Sequence, residues 1–484
     1  MLSGTAGPGM TLTAGLTPGL TAAGLMALHV GLSALVTAHV LLRKREVGAA
    51  IGWIGLAWLS PFLGSGLYFL FGINRVRQRA RTLGHPRHLA ADRDAPAAVH
   101  RAGSVLAAID RTAHRVSRRR ALPGNAVLPL ANGDAAYPRM LAAIEAAAAG
   151  ISLSSYILRD DAAGGPILDA LIRAHRRGVQ VAVLIDGVGG GYFTSPAYRR
   201  LRRGGVPAAR FMHSPLPWDM PFLNLRSHKK ILVVDGRIGF AGGLNIGREN
   251  LLRSRPASPV RDMHFEFHGP VVGQLAAAFA ADWHFATGGR LPAPEHRPSA
   301  DSPGETAARV VTSGPDQDLE KIELIVLQAI TCARASILIM TPYFLPDERL
   351  VAALSLAAMR GVEVDIVVPE RSNHRPVDWA MRAHVGPLLT AGCRIRLGPP
   401  PFNHSKLMVV DGAWSLVGSS NWDTRSFRLN FELDVELYDA ATAAVIAGLI
   451  RAGFGRRLNA SALARRPLPI RLRDAAVRLA MPYI

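Results

Sequence analysis

The chain has 484 residues, a formal net charge of +20 and 49% apolar side chains. With Cys332 and Cys393 as its only cysteines it cannot rest on a disulfide framework, and no cluster with metal-ligand spacing is visible. The length suits about two to three domains, and the excess of basic residues suits an anionic partner, either lipid headgroups or nucleic acid.

The N-terminal region separates those partners. Residues 20–42 carry no acidic or basic side chain other than His29 and His39, a stretch long enough to cross a bilayer. After Arg43-Lys44-Arg45-Glu46, residues 47–72 are again uncharged and include Trp53, Trp58 and Tyr68. Two adjacent apolar segments predict a transmembrane helical hairpin within residues 1–80, with Pro61 and Gly64-Ser65-Gly66 allowing the second to bend or re-enter. A cleaved signal peptide fits less well, because the first segment lacks a basic leader and runs directly into Arg-Lys-Arg. Arg75, Arg77, Arg79 and Arg81 place the long C-terminal part on the cytoplasmic side. Residues 81–121, ending in Arg118-Arg119-Arg120, show little apolar periodicity beyond one short helical stretch and read as a solvated basic linker.

From Asn125 onward the pattern is α/β. The periodicity predicts a helix over 135–149, a strand over 151–157, a helix over 166–177 and a strand over 179–185. The same order returns as a helix over 319–333, a strand over 336–340, a helix over 348–360 and a strand over 362–368. Two similar domains follow, 122–300 and 301–484, joined by a Pro-rich stretch at 292–303. The loop Gly187-Val188-Gly189-Gly190-Gly191 lacks the Lys and spacing of a phosphate-binding turn and reads as a plain break. Residues 470–480 set Arg471, Arg473 and Arg478 against Leu472, Val477 and Leu479, the pattern of an amphipathic helix packed on its domain.

Each α/β unit ends in the same octet. His228-Lys229-Lys230 leads into Ile231-Leu232-Val233-Val234-Asp235, and His404-Ser405-Lys406 into Leu407-Met408-Val409-Val410-Asp411. If the octet is a strand, its imidazole and ammonium emerge on one face of the sheet. Asp-Gly then predicts a hairpin turn, and the returning strands end in Gly242-Gly243-Leu244-Asn245 and Gly418-Ser419-Ser420-Asn421. Phosphodiester exchange needs a nucleophile, an acid for the leaving alkoxide and fixed positive charge around the phosphate oxygens. Two copies of His, Lys and Asn supply that set. Lys230, Asn245, Lys406 and Asn421 are the candidate phosphate ligands, and neither half of the chemistry calls for a metal or a cofactor.

The doubled spacing H-x-K-x4-D-x6-G-[GS]-x-N resembles the phospholipase D superfamily, whose generic pattern has Ser where this chain has Gly243. Asn224-Leu225-Arg226-Ser227-His228, Arg261-Asp262-Met263-His264 and Ser426-Phe427-Arg428-Leu429-Asn430-Phe431-Glu432 are similar to bacterial cardiolipin synthases, and the likeness runs over roughly residues 20–460. It implies two phospholipase D-like domains packed about a pseudo-two-fold site, with an N-terminal membrane hairpin. It further implies a phosphatidyltransferase of the bacterial inner membrane that joins two phosphatidylglycerol molecules into cardiolipin and glycerol, with no nucleic-acid partner and no oligomer needed to complete the site. His228 is then the nucleophile, His404 the general acid and base, and Asp262 and Glu432 the carboxylates that orient them. Asp235 and Asp411 complete the catalytic pattern by resemblance, although their strand parity and place at the turn favour a role in holding that turn. A phospholipase D-type hydrolase, a transferase with another alcohol acceptor and an inactive lipid-binding protein are the alternatives. Arg425 is a candidate headgroup contact, and His374 stays unassigned.

Overall fold

The computed structural model describes residues 18–43, 47–72, 100, 104–213, 225–289, 291, 303–316 and 318–479. It divides into two compact units, Met1–Arg75 and Val76–Ile484.

In the N-terminal unit the helix Pro18–Arg43 contains a stretch, Thr21–Arg43, long and apolar enough to cross a membrane. The second segment is not one span. Its helix Val47–Leu59 has 13 residues, which at about 1.5 Å per residue falls short of a hydrocarbon core about 30 Å thick. Pro61 breaks it, Phe62 takes a left-handed φ of 61°, and the chain resumes in Leu63–Leu67 and a π-turn at Tyr68–Gly72. The two segments pack through Val36, Val40, Ala57 and Tyr68. Polar groups turn inward: the Ser33 hydroxyl donates to the Ala57 carbonyl at 2.8 Å, and the Trp58 indole N–H donates to Thr37 Oγ1 at 3.0 Å. Leu25, Met26, Leu35, Leu41, Ile51 and Phe69 point outward and are exposed. Polar inside and apolar outside is the arrangement that suits a lipid solvent.

The larger unit is built from two halves. The first supplies β1 (Leu122–Ala131), β2 (Gly150–Ser155), β3 (Gln180–Asp186), β4 (Ala208–Phe211), β5 (Ile231–Val234), β6 (Ile238–Gly242), β7 (Val260–Arg261) and β8 (Met263–His268). The second supplies β9 (Thr306–Ser313), β10 (Ser336–Met340), β11 (Phe344–Leu345), β12 (Glu363–Pro369), β13 (Arg394–Gly398), β14 (Phe402–Asn403), β15 (Leu407–Val410), β16 (Trp414–Gly418), β17 (Trp422–Asp423), β18 (Glu432–Tyr438) and β19 (Arg456–Arg457).

Fifteen of these strands form one sheet, and its order reads alike in both directions from a central β1–β9 pair. Outward lie β8, β6, β5, β2, β3 and β4 on one side, and β18, β16, β15, β10, β12 and β13 on the other, with β19 at the edge. That palindrome is the pseudo-two-fold. β2–β3–β4 and β10–β12–β13 run parallel, as strands joined by crossover helices do. Helices Asn132–Ala146 and Gly164–Arg176 bury Ile144, Leu168 and Leu171 on one sheet face, and Lys321–Cys332 and Glu348–Met359 do the same in the second half. Val271–Thr287 and Ala440–Ala452 cover the opposite face over Ile231, Val233, Leu407 and Val409.

Two expectations change in detail. β5 begins at Ile231 and β15 at Leu407, so each His-x-Lys is the extended approach to its strand and not part of it. The basic stretch 81–121 is not a free arm over its described part. Ser104 caps a helix, Val105–Ser117, that buries Ile109 and Ala113 in the core of the second half. Its Asp110 pairs with buried Arg309 at 2.6 Å, which ties the short helical stretch to the second half. Residues 81–99, and the linker over 292–302, lie outside the described residues. At the C-terminus, Leu468–Arg478 packs on the helix Arg375–His384, with the Arg473 guanidinium 4.1 Å from the Trp379 ring centre.

Candidate active site

Both His-x-Lys segments enter the site as extended chain, and each is fastened by the opposite half. The His228 N–H donates to the Phe431 carbonyl at 2.9 Å, while the His404 N–H donates to the Arg261 carbonyl at 2.7 Å. Phe431 and Arg261 are the residues immediately before Glu432 and Asp262. Pairing the backbones in this way therefore delivers each carboxylate to the histidine of the other half. Asp262 Oδ2 lies 2.8 Å from His404 Nδ1, and Glu432 Oε2 lies 3.0 Å from His228 Nδ1. The imidazole centres are 6.1 Å apart with planes at 85°.

These partners decide the tautomers. His228 Nδ1 also lies 2.9 Å from the Ser419 carbonyl, which can only accept, so Nδ1 carries the proton and Nε2 the lone pair. Asp262 does the same for His404. Lys406 Nζ lies 2.9 Å from both Nδ1 and Nε2 of His404 and so is aligned on neither, and Nε2 of His228 has no hydrogen bond among the described residues.

Lys230 and Lys406 each fold back to donate to the carbonyl of their own histidine at 2.5 Å. Burial, reinforced by the charge of Lys406, pulls the Lys230 ammonium down to about 7, and burial pulls Lys406 down to about 8. Burial and the neighbouring ammonium groups hold His228 well below its ordinary value and His404 at about 3. Burial lifts Glu432 to about 7. Burial works in the same direction on Asp262, but the pairing with His404 and Lys406 wins and keeps it ionised below the usual range. Two buried ammonium groups with no anion between them are costly. An oxyanion placed there relieves them.

Among the described residues, buried Asn421 has no partner for its Oδ1, and partly buried Asn245, whose Oδ1 accepts the Ile157 N–H at 3.3 Å, has none for its amide NH2. Aromatic rings wall the site. Tyr156 sits edge-on to His228 with centres 5.2 Å apart, and Tyr343 and Phe402 flank His404 at 6.1 and 6.0 Å.

Asp235 and Asp411, grouped with the catalytic residues by the motif, are occupied elsewhere. At the far ends of β5 and β15, the Asp235 carboxylate accepts the N–H groups of Ala148, Ala149 and Gly150, and Asp411 accepts those of Arg334, Ala335 and Ser336. Both adopt left-handed φ, 51° and 50°, ahead of Gly236 and Gly412. They stitch the turn to the start of β2 and β10, which corrects the catalytic assignment for the reason their strand parity suggested.

Several contributors carried no sequence signal of their own. The Ser419 hydroxyl donates to Glu432 Oε2 at 2.5 Å and Asn430 Nδ2 donates to Oε1 at 3.2 Å, fixing the carboxylate that holds His228. Asp186 accepts the Ser227 N–H at 2.8 Å and the N–H groups of Val188 and Gly189, and so pins both the His228 approach and the Gly-rich loop. That loop turns the carbonyls of Gly187 and Tyr192 toward Arg210, not its N–H groups toward a phosphate. His374 is one ring removed from the site, 5.8 Å from Tyr343, and Arg425 bears on Tyr156 electrostatically. Gly243 is explained as well, since a Cβ there would run into the Asp262 carboxylate.

Two duplicated halves, one continuous sheet and a pair of cross-oriented histidines define a phospholipase D-like phosphatidyltransferase, and the family model described as "Cardiolipin synthase, PLD-like domain" matches residues 140–283 and 326–452. A second, "Phospholipase_D-nuclease N-terminal", matches residues 31–72. The chain is 35% identical over 453 residues to cardiolipin synthase A of Pseudomonas aeruginosa, covering 91% of each. It is 32% identical over 456 residues to the major cardiolipin synthase ClsA of Bacillus subtilis, covering 91% of this chain and 95% of that one. The chain belongs to the cardiolipin synthase family. Its fold is shared by a phosphatidylserine synthase of Haemophilus influenzae, with a TM-score of 0.59 at 15% identity over 78% of this chain and all of that one.

Proposed function

We propose that the protein joins two phosphatidylglycerol molecules into cardiolipin with release of glycerol, through a phosphatidyl-histidine intermediate on His228. The observation that supports the reading is the crossed pair of oriented histidines: the Ser419 carbonyl and Glu432 hold Nδ1 of His228, which leaves its Nε2 lone pair for phosphorus, and Asp262 holds Nδ1 of His404. In the first step His228 Nε2 bonds to phosphorus and the P–O bond to glycerol breaks, with a proton passing from His404 to the departing oxygen. In the second, His404 takes the proton from a hydroxyl of the second phosphatidylglycerol, whose oxygen bonds to phosphorus as the P–N bond breaks.

Lys230, Lys406, Asn245 and Asn421 hold the non-bridging oxygens. Their positive charge counts for more in a buried site than in water. The bound anion offsets the Lys406 charge that, with burial, holds His404 down, and so favours the protonated imidazole the first step needs. Asp262 and Glu432 fix the rings and stabilise the imidazolium forms.

The N-terminal unit, with its apolar exterior, anchors the chain in the bacterial inner membrane, with the catalytic unit on the cytoplasmic side beside its anionic lipid substrate. Both histidines come from one chain, so one copy completes the site. Purified protein in liposomes with labelled phosphatidylglycerol should yield cardiolipin and glycerol in equal amounts. Accumulation of phosphatidic acid would make water the acceptor, and retained lipid binding without turnover would leave a binding protein.

A further inference from the structure

Transfer to a lipid differs from hydrolysis in one chemical respect: the incoming alcohol carries its own phosphate, three carbons from the hydroxyl that attacks. The ammonium and amide groups around His228 and His404 serve the reacting phosphorus. A second anion needs a second cation, on the side of the histidine that activates the acceptor.

The pseudo-two-fold identifies where to look. Arg261 and Phe431 are equivalent, since each gives its carbonyl to the N–H of the opposite histidine and each precedes the carboxylate that orients it. Phe431 is buried in an aromatic cluster with Phe211 and Phe285. Arg261, whose carbonyl holds the His404 N–H, lines a small depression of about 20 Å³ at the C-terminal ends of the parallel strands β10, β12 and β13, with Thr341, Val367, Pro369 and Asn403. The crevice beyond the carboxyl ends of parallel strands is where α/β folds commonly bind ligands.

Arg261 is partly buried and has no ion pair or hydrogen bond for its guanidinium among the described residues. Several other partly or fully buried arginines of this unit are engaged by carboxylates or carbonyls: Arg309 by Glu436, Arg394 and Arg396 by Asp365, and Arg210 by the carbonyls of Gly187 and Tyr192. A guanidinium with no carboxylate beside it is available to an anion, and its planar five-donor fork suits a phosphate.

We propose that Arg261 binds the phosphate of the acceptor lipid and thereby sets the acceptor's hydroxyl against His404, so that one half of the duplicated site takes the donor and the other a phosphate-bearing alcohol. The assignment rests on the transfer reading above. It makes Arg261 a determinant of which alcohol finishes the reaction.

The test compares two acceptors for the same phosphatidyl-enzyme in liposomes: phosphatidylglycerol, read as cardiolipin, and labelled free glycerol, read as exchange into phosphatidylglycerol. In Arg261→Gln, cardiolipin formation should fall about tenfold or more relative to glycerol exchange, the scale of one lost charge-assisted hydrogen bond. Arg261→Lys should recover part of the ratio, and matching melting temperatures would verify that both variants fold. An equal loss in both reactions would overturn the proposal, because the side chain would then act through His404 and not on the acceptor. Added inorganic phosphate separates a lipid phosphate from a free one. If it changes wild-type glycerol exchange and leaves Arg261→Gln unaffected, Arg261 is a free-phosphate site and the acceptor assignment is wrong. Absence of both products from the wild-type protein would instead remove the transfer reading on which the proposal stands.

Discussion

Asp262 and His404 belong to opposite halves of the duplicated unit, yet the carboxylate of one stands 2.8 Å from Nδ1 of the other. The exchange is mutual, since Glu432 serves His228 at 3.0 Å. Each orienting carboxylate therefore answers to the step performed by the distant motif. Asp262→Ala should resemble His404→Ala, and Glu432→Ala should resemble His228→Ala, each lowering the rate of its own step by about 100-fold or more. Single-turnover kinetics that follow formation and decay of the phosphatidyl-enzyme separate the two. If each carboxylate variant instead matched the histidine of its own half, the crossed arrangement would have no catalytic meaning.

The lysines give the empty protein a distinctive pH dependence. Lys230 and Lys406 titrate near 7 and 8 in the folded chain, both below their ordinary value, because burial disfavours the charged form and the two ammonium groups repel. Between about pH 7 and pH 10 the unfolded chain then binds more protons than the folded one, so stability rises with pH across that window. Thermal unfolding of the substrate-free protein should show a melting temperature climbing from pH 7 toward pH 10. Lys406→Met should be more stable than wild type at pH 7 by a few kcal/mol at most, with a flatter profile and no activity. A wild-type melting temperature that falls over that range would contradict the account.

Affinity for an anion should move the opposite way. The charged lysines that destabilise the substrate-free site are the ones an anion needs, so sulfate, whose own charge is constant over this range, should bind more weakly as pH rises through 7 to 8. Calorimetric titration at a series of pH values reads this directly, and an affinity independent of pH would mean the lysines do not face the anion.

Asp235 and Asp411 should behave as structural residues. Each carboxylate accepts three backbone N–H groups where β2 or β10 begins. Removing one by alanine should cost about 1–3 kcal/mol, the range for hydrogen bonds to a charged group. The melting temperature should drop far more than the turnover number of the protein that remains folded. A large loss of turnover without loss of stability would return these residues to the chemistry.

Gly243 offers a sharper check on geometry. A side chain at this position meets the Asp262 carboxylate, whereas in the other half Ser419 has room and uses its hydroxyl to hold Glu432. Gly243→Ser, although it restores the more usual pattern, should displace Asp262 from His404 and depress the acid–base step. Serine tolerated at full rate would show that Asp262 can yield without cost.

Much of this was written in the sequence in local form. Doubled His-x-Lys octets, Asp-Gly turns and alternating helices and strands are all patterns within a few residues, and the structure places them in two like halves. The crossed carboxylates could not be read that way, because the pairs His404–Asp262 and His228–Glu432 lie 142 and 204 residues apart. Nor could the Ser419 carbonyl, which sets the His228 tautomer through its backbone alone. A short helical stretch within 81–121 was legible, but not that Ile109 and Ala113 of the helix Val105–Ser117 bury against the second half, about 200 residues away at Arg309. Pro61, by contrast, announced the break in the second apolar segment, and the chain does turn there.

The central claim is that His228 attacks phosphorus while His404 manages protons. Rapid acid-free quenching of the enzyme with labelled phosphatidylglycerol, followed by peptide mapping by mass spectrometry, identifies the residue that carries the phosphatidyl group. The account predicts the adduct on His228, absent in His228→Ala and formed slowly in His404→Ala. An adduct on His404, or turnover to cardiolipin by His228→Ala, would contradict it.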